Sequence, residues 1–267
     1  MKFNQQDFSD FGIPANLIDT SLDSSKIPNR IRDEIPTLNQ YGYMKEEFDI
    51  YSKAFVDTSC NNNLPVLEIG PAYGWVLKQT LEKGAQVIAN DISKEHLAII
   101  VDSIRSDNAM LNKLFVYPGA FPGEIELPND SIGSVLVSRV FHFLDVEDIN
   151  IGLKKIHNWL IDGGKLYFTA CSVYHDSIRE QILDIFQAKF NNGELWPGRV
   201  TNHKKVTKSK HLPYTQDFFH VFDIPQLEKI IPKYGFKIDH ISLFDYPNDT
   251  DSMGKGHIGF VATKEDL

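Results

Sequence analysis

Cysteine is nearly missing from this chain. Only Cys60 and Cys171 occur among 267 residues, far apart and in no spacing that suits a shared metal ion. A disulfide-stapled scaffold is excluded, no metal is expected, and inert reduced thiols point to a cytoplasmic setting. Long apolar runs are missing as well. None approaches the roughly 20 residues of a membrane span, so no membrane partner is expected. The stretch Met1 to Asp7 lacks the apolar core of a signal peptide. Positive charge is scarce, with 27 Lys and Arg against 36 Asp and Glu and a net charge of −9. That balance opposes broad phosphate neutralisation, so no nucleic-acid partner is expected. Internal repeats and low-complexity segments are also lacking.

What the chain does have is an alternation of strand and helix patterns. Val66 to Ile69 reads as a central strand, Trp75 to Lys83 as a helix stopped by Gly84, and Gln86 to Asn90 as the next strand. Ser93 is an N-cap before a helix with Leu97, Ile100, Val101 and Ile104 inward. Strands follow at Leu114 to Tyr117, Ser134 to Ser138 and Lys165 to Ala170, with a helix from Asp145 or Asp148 between the last two. This spacing predicts a parallel α/β sheet wound with right-handed crossovers. A helix from about Asp176 to Phe190 is expected to turn Ile178, Ile182, Ile185 and Phe186 inward. A short helix opens at Asp223-Ile224-Pro225, and strands at Phe236 to Leu243 and His257 to Thr263 close the chain as an antiparallel pair. Upstream, a short helix is predicted from about Pro28 to Ile35 and a longer one from Met44 to about Asp57. The first 43 residues are either an arm packed on the domain or a flap over the ligand edge carrying Tyr41 and Tyr43.

The stretch Pro65 to Asp91 carries the chemistry. An apolar strand ends in Glu68-Ile69-Gly70-Pro71-Ala72-Tyr73-Gly74, and the neighbouring strand ends in Asp91. Small residues let a ligand lie against the turn's backbone. The following helix aims its amide end at the same place. Asp91 can accept hydrogen bonds from the two vicinal hydroxyls of a ribose.

The pattern resembles the nucleotide-binding core of class I S-adenosylmethionine-dependent methyltransferases. Their first motif, an acid followed by alternate glycines, matches Glu68-x-Gly70-x-Ala72-x-Gly74, and their second matches Asp91. The resemblance continues through Leu127 to Ser131, Val137 to Leu144, Trp159 to Leu166 and Tyr234-Gly235-Phe236. It implies a three-layer Rossmann-like fold with a seven-stranded, mostly parallel sheet and an antiparallel C-terminal hairpin strand. It also implies S-adenosyl-L-methionine as cofactor and S-adenosyl-L-homocysteine as product. Glu68 would lie near the methionyl amino end, and the backbone of Gly70, Ala72, Tyr73 and Gly74 along the methionyl part. Asp91 would hold the ribose, Ile92 would pack on the adenine, and Ala120 and Phe121 would flank its other side. Ser138 and Arg139 would line the floor. Ala72 stands where the middle glycine is usual. Gly119 stands where many relatives carry an acid, which leaves the adenine to the backbone or to Asp130.

The methyl acceptor is less legible. His142 is the candidate general base, or else a packing histidine between Phe141 and Phe143. From Leu195 to Gln216 there is no acid, yet Arg199, Lys204, Lys205, Lys208 and Lys210 occur there with His203 and His211. This segment reads as a solvated loop or as a lid whose cations attract an anionic small molecule, with His211 and Tyr214 at the acceptor. The expected layout is one domain: an arm over 1–63, a cofactor core over 64–190, a lid-like insertion over 191–222, and a closing helix and hairpin over 223–267. Other readings stay open: an NAD(P)-dependent oxidoreductase, a protein methyltransferase, and a non-catalytic or effector module. Trp75 occupies the third position of a dinucleotide fingerprint, where a glycine belongs.

Overall fold

The computed structural model describes residues 9–18, 20, 27–31, 33–61, 63–208, 216–246 and 252–265. Its frame is set by five strands whose apolar residues point both ways. In β4 (Val66–Ile69), Leu67 and Ile69 join one core while Val66 joins the other. In β5 (Val87–Asp91), Ile88 faces the first core, and Val87 and Ala89 face the second. A strand buried on both faces belongs inside a parallel sheet with helices on each side.

The elements follow in chain order. β1 (Ile13–Pro14), the hairpin β2 (Glu34–Pro36) and β3 (Tyr43–Lys45), and α1 (Ile50–Thr58) precede β4. Then come α2 (Trp75–Glu82), β5, α3 (Lys94–Ser103), α4 (Asn108–Leu111), β6 (Leu114–Pro118), β7 (Ile132–Ser138), α5 (Val146–Trp159) and β8 (Leu160–Cys171). The remainder comprises α6 (Arg179–Asn191), β9 (Arg199–Val200), α7 (His203–Val206), β10 (Phe219–His220), α8 (Ile224–Ile230), β11 (Phe236–Phe244) and β12 (His257–Lys264).

Eight strands of the described residues form one sheet in the order β1-β6-β5-β4-β7-β8-β12-β11. β4 to β8 are mutually parallel, and β12 runs antiparallel to β8 and to β11. The seven expected strands are present. The eighth is β1, a two-residue edge strand antiparallel to β6. Residues of α1, α2 and α3 (Phe55, Leu77, Leu97, Val101) cover one face. Residues of α5 and α8 (Ile149, Leu153, Ile156, Leu227) cover the other.

The strand order reverses between β4 and β7. At such a switch point the crevice beyond the carboxyl ends is where ligands bind in open α/β sheets. Because β12 is antiparallel, its first residue, His257, is paired with Cys171 at that same edge.

Capping sets several boundaries. Asp49 accepts from the amides of Tyr51 and Ser52, both at 2.8 Å, which starts α1 at Ile50. The helix expected from Met44 is therefore shorter, because Tyr43–Lys45 pairs as a strand instead. The helix expected over Pro28 to Ile35 is absent: Ile31 bridges Glu34, and Glu34–Pro36 is β2. Ser93 caps α3 through the His96 amide, and Asp223 forms a capping box with Gln226. In α6, Ile185 is 57% exposed rather than inward. The 191–222 segment has short elements of its own, β9 pairing with β10 and one turn of helix in α7.

Candidate active site

The turn after β4 follows from what surrounds it. Gly70 has φ 71°, and an added Cβ would lie 2.5 Å from Val140 Cγ2. Only glycine lets the turn approach the loop after β7 this closely. Ala72 holds φ 50° with a side chain present, a local strain of the kind that gathers at functional sites.

Asp91 is 5% exposed and heavily bonded. Its Oδ1 accepts from the Ser93 amide at 2.8 Å, and its Oδ2 from the Ala72 amide at 3.2 Å. His96 Nδ1 lies 3.3 Å from both oxygens. The Leu38 amide donates to His96 Nε2 at 3.2 Å, so the ring proton is on Nδ1 and faces Asp91. Tyr73 packs edge-on against His96 and donates its hydroxyl to the Pro36 carbonyl at 2.8 Å. The hairpin tip between β2 and β3 is thereby tied to the cofactor turn.

Glu68 is 4% exposed, and its Oε2 has no hydrogen-bond partner among the described residues. Burial, with Asp91 adding repulsion, pushes its carboxyl from the ordinary 4.5 to about 8. Asn90 donates its side-chain amide to the Tyr117 and Gly119 carbonyls at 2.9 and 3.0 Å, fixing the loop after β6.

Two cavities meet over this edge. The first, of about 310 Å³, is lined by Gly70, Ala72, Asp91, Ile92, Ala120 and Phe121 from the sequence-selected set, and by Tyr41 and Arg139. Asp148 also lines it. The second, of about 100 Å³, is lined by Tyr41, Tyr43, Arg139 and His142, with His175, His203, Phe219 and His257. Tyr41, Arg139 and Phe143 belong to both walls. A smaller polar recess holds Glu68, Ser138 and Arg139.

Arg139 has φ 57°, and its guanidinium lies over the rings of Tyr43 (5.6 Å) and Tyr246 (5.3 Å). Burial opposes its charge, but Tyr246, Tyr43, Asp49 and Glu34 together outweigh that and raise its pKa. Its Nε has no hydrogen-bond partner among the described residues. His142 is buried, and burial, then Arg139 and the neighbouring histidines, hold its pKa well below the usual value. It stacks on Phe219 at 4.6 Å and 26°, and His203 stacks on Phe219 at 4.5 Å and 13°.

Several sequence expectations need correction. Tyr73 and Gly74 do not line the cavities: Tyr73 anchors the hairpin, and a Cβ on Gly74 would lie 2.7 Å from Ile100 Cγ1. Asp130 is at the opposite edge of the sheet, where Lys264 donates to it at 2.6 Å, so it cannot read an adenine. The cations of the 191–222 segment that have ion pairs meet surface acids: Arg199 meets Asp145, and Lys208 meets Glu180. His211 and Tyr214 lie outside the described residues. His96, Asn90 and the His175–Asp176 pair were not singled out from the sequence. Each lies on a strand, or within the first residues after its carboxyl end, at the ligand edge, which is the signal that could have found them.

Residues 67–168 match the family model described as methyltransferase domain. That stretch is similar to a methyltransferase domain, and the fold around it is that of S-adenosylmethionine-dependent methyltransferases. The methyltransferase fold extends well beyond the matched residues. A Methanosarcina mazei S-adenosylmethionine-dependent methyltransferase superposes with a TM-score of 0.58 at 15% identity, over 80% of this chain and 98% of that one. The Burkholderia thailandensis 1,6-didemethyltoxoflavin-N1-methyltransferase superposes with a TM-score of 0.57 at 15% identity, over 80% and 77%. A probable endochitinase of Arthroderma benhamiae is 28% identical over 135 residues. That match takes in 51% of this chain, and this chain spans 17% of the length of that protein. Among the described residues, no helix is long and apolar enough to cross a membrane.

Proposed function

We propose that the larger cavity holds S-adenosyl-L-methionine and that the smaller one holds a small-molecule methyl acceptor. The observation that carries this reading is the shared wall of Tyr41, Arg139 and Phe143, which sets the two cavities side by side at the switch point. The residues present fit the cofactor. Gly70 and Ala72 also line the polar recess, where the orphaned Oε2 of Glu68 suits the methionyl ammonium; the Gly70 turn admits backbone contact, and Asp91 at a strand end suits ribose hydroxyls. Ile92, 56% exposed, and Phe121 face the cavity as adenine flanks, and Asp148 is the acid on that wall in place of Asp130.

When bound, the cofactor supplies an already activated methyl group. The protein's own work is to hold the nucleophile in line, exclude water and accept a proton where one must leave. Tyr41 on the hairpin tip roofs the joint between the cavities. The side chain of Gln216 donates to the Gln40 carbonyl at 3.1 Å, linking the tip to the 191–222 segment as two halves of one cover. The small enclosed volume favours a small molecule over a folded protein as acceptor.

The test is calorimetry with S-adenosylhomocysteine and NAD. One-site micromolar binding of the sulfur compound and none of NAD is expected. Binding of NAD alone would replace this reading with the oxidoreductase.

A further inference from the structure

The acceptor cavity contains a histidine that is better placed to take a proton than His142. His175 follows β8 by four residues and lines the cavity with its side chain 21% exposed. Its Nδ1 lies 3.0 Å from Asp176 Oδ1 and 2.9 Å from Ser177 Oγ. Asp176 also accepts from the Ser252 hydroxyl at 3.2 Å, and its own amide donates to that hydroxyl at 2.9 Å. The carboxylate is therefore fixed from two sides. The hydrogen bond with His175, reinforced by charge, holds its pKa down at about 2. The Ser177 amide also points at Nδ1, from 3.3 Å, but the carboxylate is nearer and charged, so it draws the ring proton to Nδ1 and leaves Nε2 to the cavity.

The other groups around His175 do not compete for this role. His142 and His203 are held neutral mainly by burial, and His203 Nδ1 already meets the Gln216 carbonyl at 3.2 Å. The Cys171 thiol is pushed up by burial and stays protonated. His257 packs edge-on against the His175 ring at 5.5 Å. The same cavity is lined by Arg139, with its uncommitted Nε, and by Tyr43. Ring surfaces make up much of the rest, Phe143, Tyr41 and the stacked series His142, Phe219, His203, with Ile178 and Thr207 beside them. Flat walls select a flat guest, and a cation and a base lining one cavity select one with an ionisable proton.

We propose that His175, oriented by Asp176, removes the proton of an aromatic hydroxyl or ring N–H acceptor, and that His142 serves only as a neutral wall. The proposal rests on the methyltransferase reading above. The acceptor's X–H bond breaks and its proton goes to His175 Nε2. The electron pair left on X forms the bond to the methyl carbon. The electrons of the S–CH3 bond return to sulfur, discharging the sulfonium. His175 touches the acceptor and is the catalytic residue; Asp176 is a positioning residue that fixes the Nδ1–H tautomer, the arrangement by which a carboxylate orients a histidine base.

Four measurements test it. Calorimetry with S-adenosylhomocysteine on wild type, His175→Asn and Asp176→Asn first shows that each variant folds and keeps the cofactor site. Failure in the wild type would remove the methyltransferase reading itself, separately from this proposal. Next, nitrogen-resolved NMR of the imidazoles should find His175 as the Nδ1–H tautomer in wild type and a mixture in Asp176→Asn. An Nε2–H ring in the wild type overturns the proposal. The third uses 4-nitrophenol, whose ionised form is coloured, added to the S-adenosylhomocysteine complex. Wild type should bind it as the phenolate at a pH where the free compound is mostly protonated, and His175→Asn should lose that shift. With S-adenosylmethionine and any hydroxyaromatic that turns over, His175→Asn should lower kcat on the order of 100-fold. That loss should shrink as rising pH ionises the acceptor. Failure of 4-nitrophenol to bind at millimolar concentration, or an identical spectrum in His175→Asn, overturns the assignment.

Discussion

The two cavities are built in opposite ways. The cofactor cavity is made where regular elements end: the Gly70 turn after β4, Asp91 at the end of β5, and the loop after β6 pinned by Asn90. Apart from Thr37, Asn39 and Tyr41 of the hairpin, its residues lie at or just after the carboxyl ends of parallel strands of the sheet. The acceptor cavity is made of side chains from segments far apart in the chain. They come from the hairpin tip, the loop after β7, the end of β8, α7, β10 and the start of β12. One cavity is backbone geometry with two acids, and the other is stacked rings around a cation. Substitutions should therefore act on the first through cofactor affinity, and on the second through acceptor recognition and rate.

Asp91→Ala should have the largest effect. It removes the ribose acceptor and strands the amides of Ala72 and Ser93, which now bond to it. Hydrogen bonds to a charged group are worth about 1.5–3 kcal/mol each, so losing two predicts at least a 100-fold weaker S-adenosylhomocysteine affinity by calorimetry. Unchanged affinity would break the division between the cavities. Arg139→Ala should act mainly on the other side. The Tyr43 and Tyr246 rings lose their cation, and binding of an anionic aromatic probe should fall by about 10-fold while cofactor affinity changes far less.

Glu68 sharpens the comparison through pH. Its folded pKa is raised, from 4.5 to about 8, so the folded state holds the proton more tightly than the unfolded chain. Its contribution to stability is complete below the unfolded value and is lost as pH climbs through the folded one. A cationic ligand favours the ionised form, so S-adenosylmethionine should bind more tightly as pH rises toward 8, with a proton released on binding. In Glu68→Gln both the pH-dependent loss of stability and the proton release should disappear, as read by denaturation and by calorimetry in buffers of different ionisation enthalpy. The smallest effect is expected at Ala72, whose φ of 50° costs an L residue about 1–2 kcal/mol. Ala72→Gly relieves that strain and gives back roughly 0.4–1 kcal/mol through the unfolded chain, so stability should rise by at most about 1.6 kcal/mol.

The same contrast explains what the sequence disclosed. The strands of the core, the turn and the acid at the end of β5 are local patterns: apolar runs of period two, a small-residue turn, a carboxylate at a fixed distance. They can be read one after another. Asp130 was misjudged because its neighbours Leu127 to Ser131 resemble a family motif, while its side chain is claimed by Lys264 at the far edge. The helix expected over Pro28 to Ile35 gives way to a hairpin because Thr37 and Gly42 close a turn that pairs β2 with β3. His142 stood out in the sequence because it follows a strand. Its low basicity comes from burial and from Arg139, which depend on tertiary packing. His175 and Asp176 went unnoticed because their role appears only once His257, Phe219 and Arg139 arrive from other parts of the chain.

A crystal structure with S-adenosylhomocysteine bound would test the central claim most directly. The ribose should meet Asp91, and the sulfur should lie at the shared wall of Tyr41, Arg139 and Phe143, facing the cavity that His175 lines. A sulfur directed away from that wall, or a ligand seated elsewhere, would contradict the account.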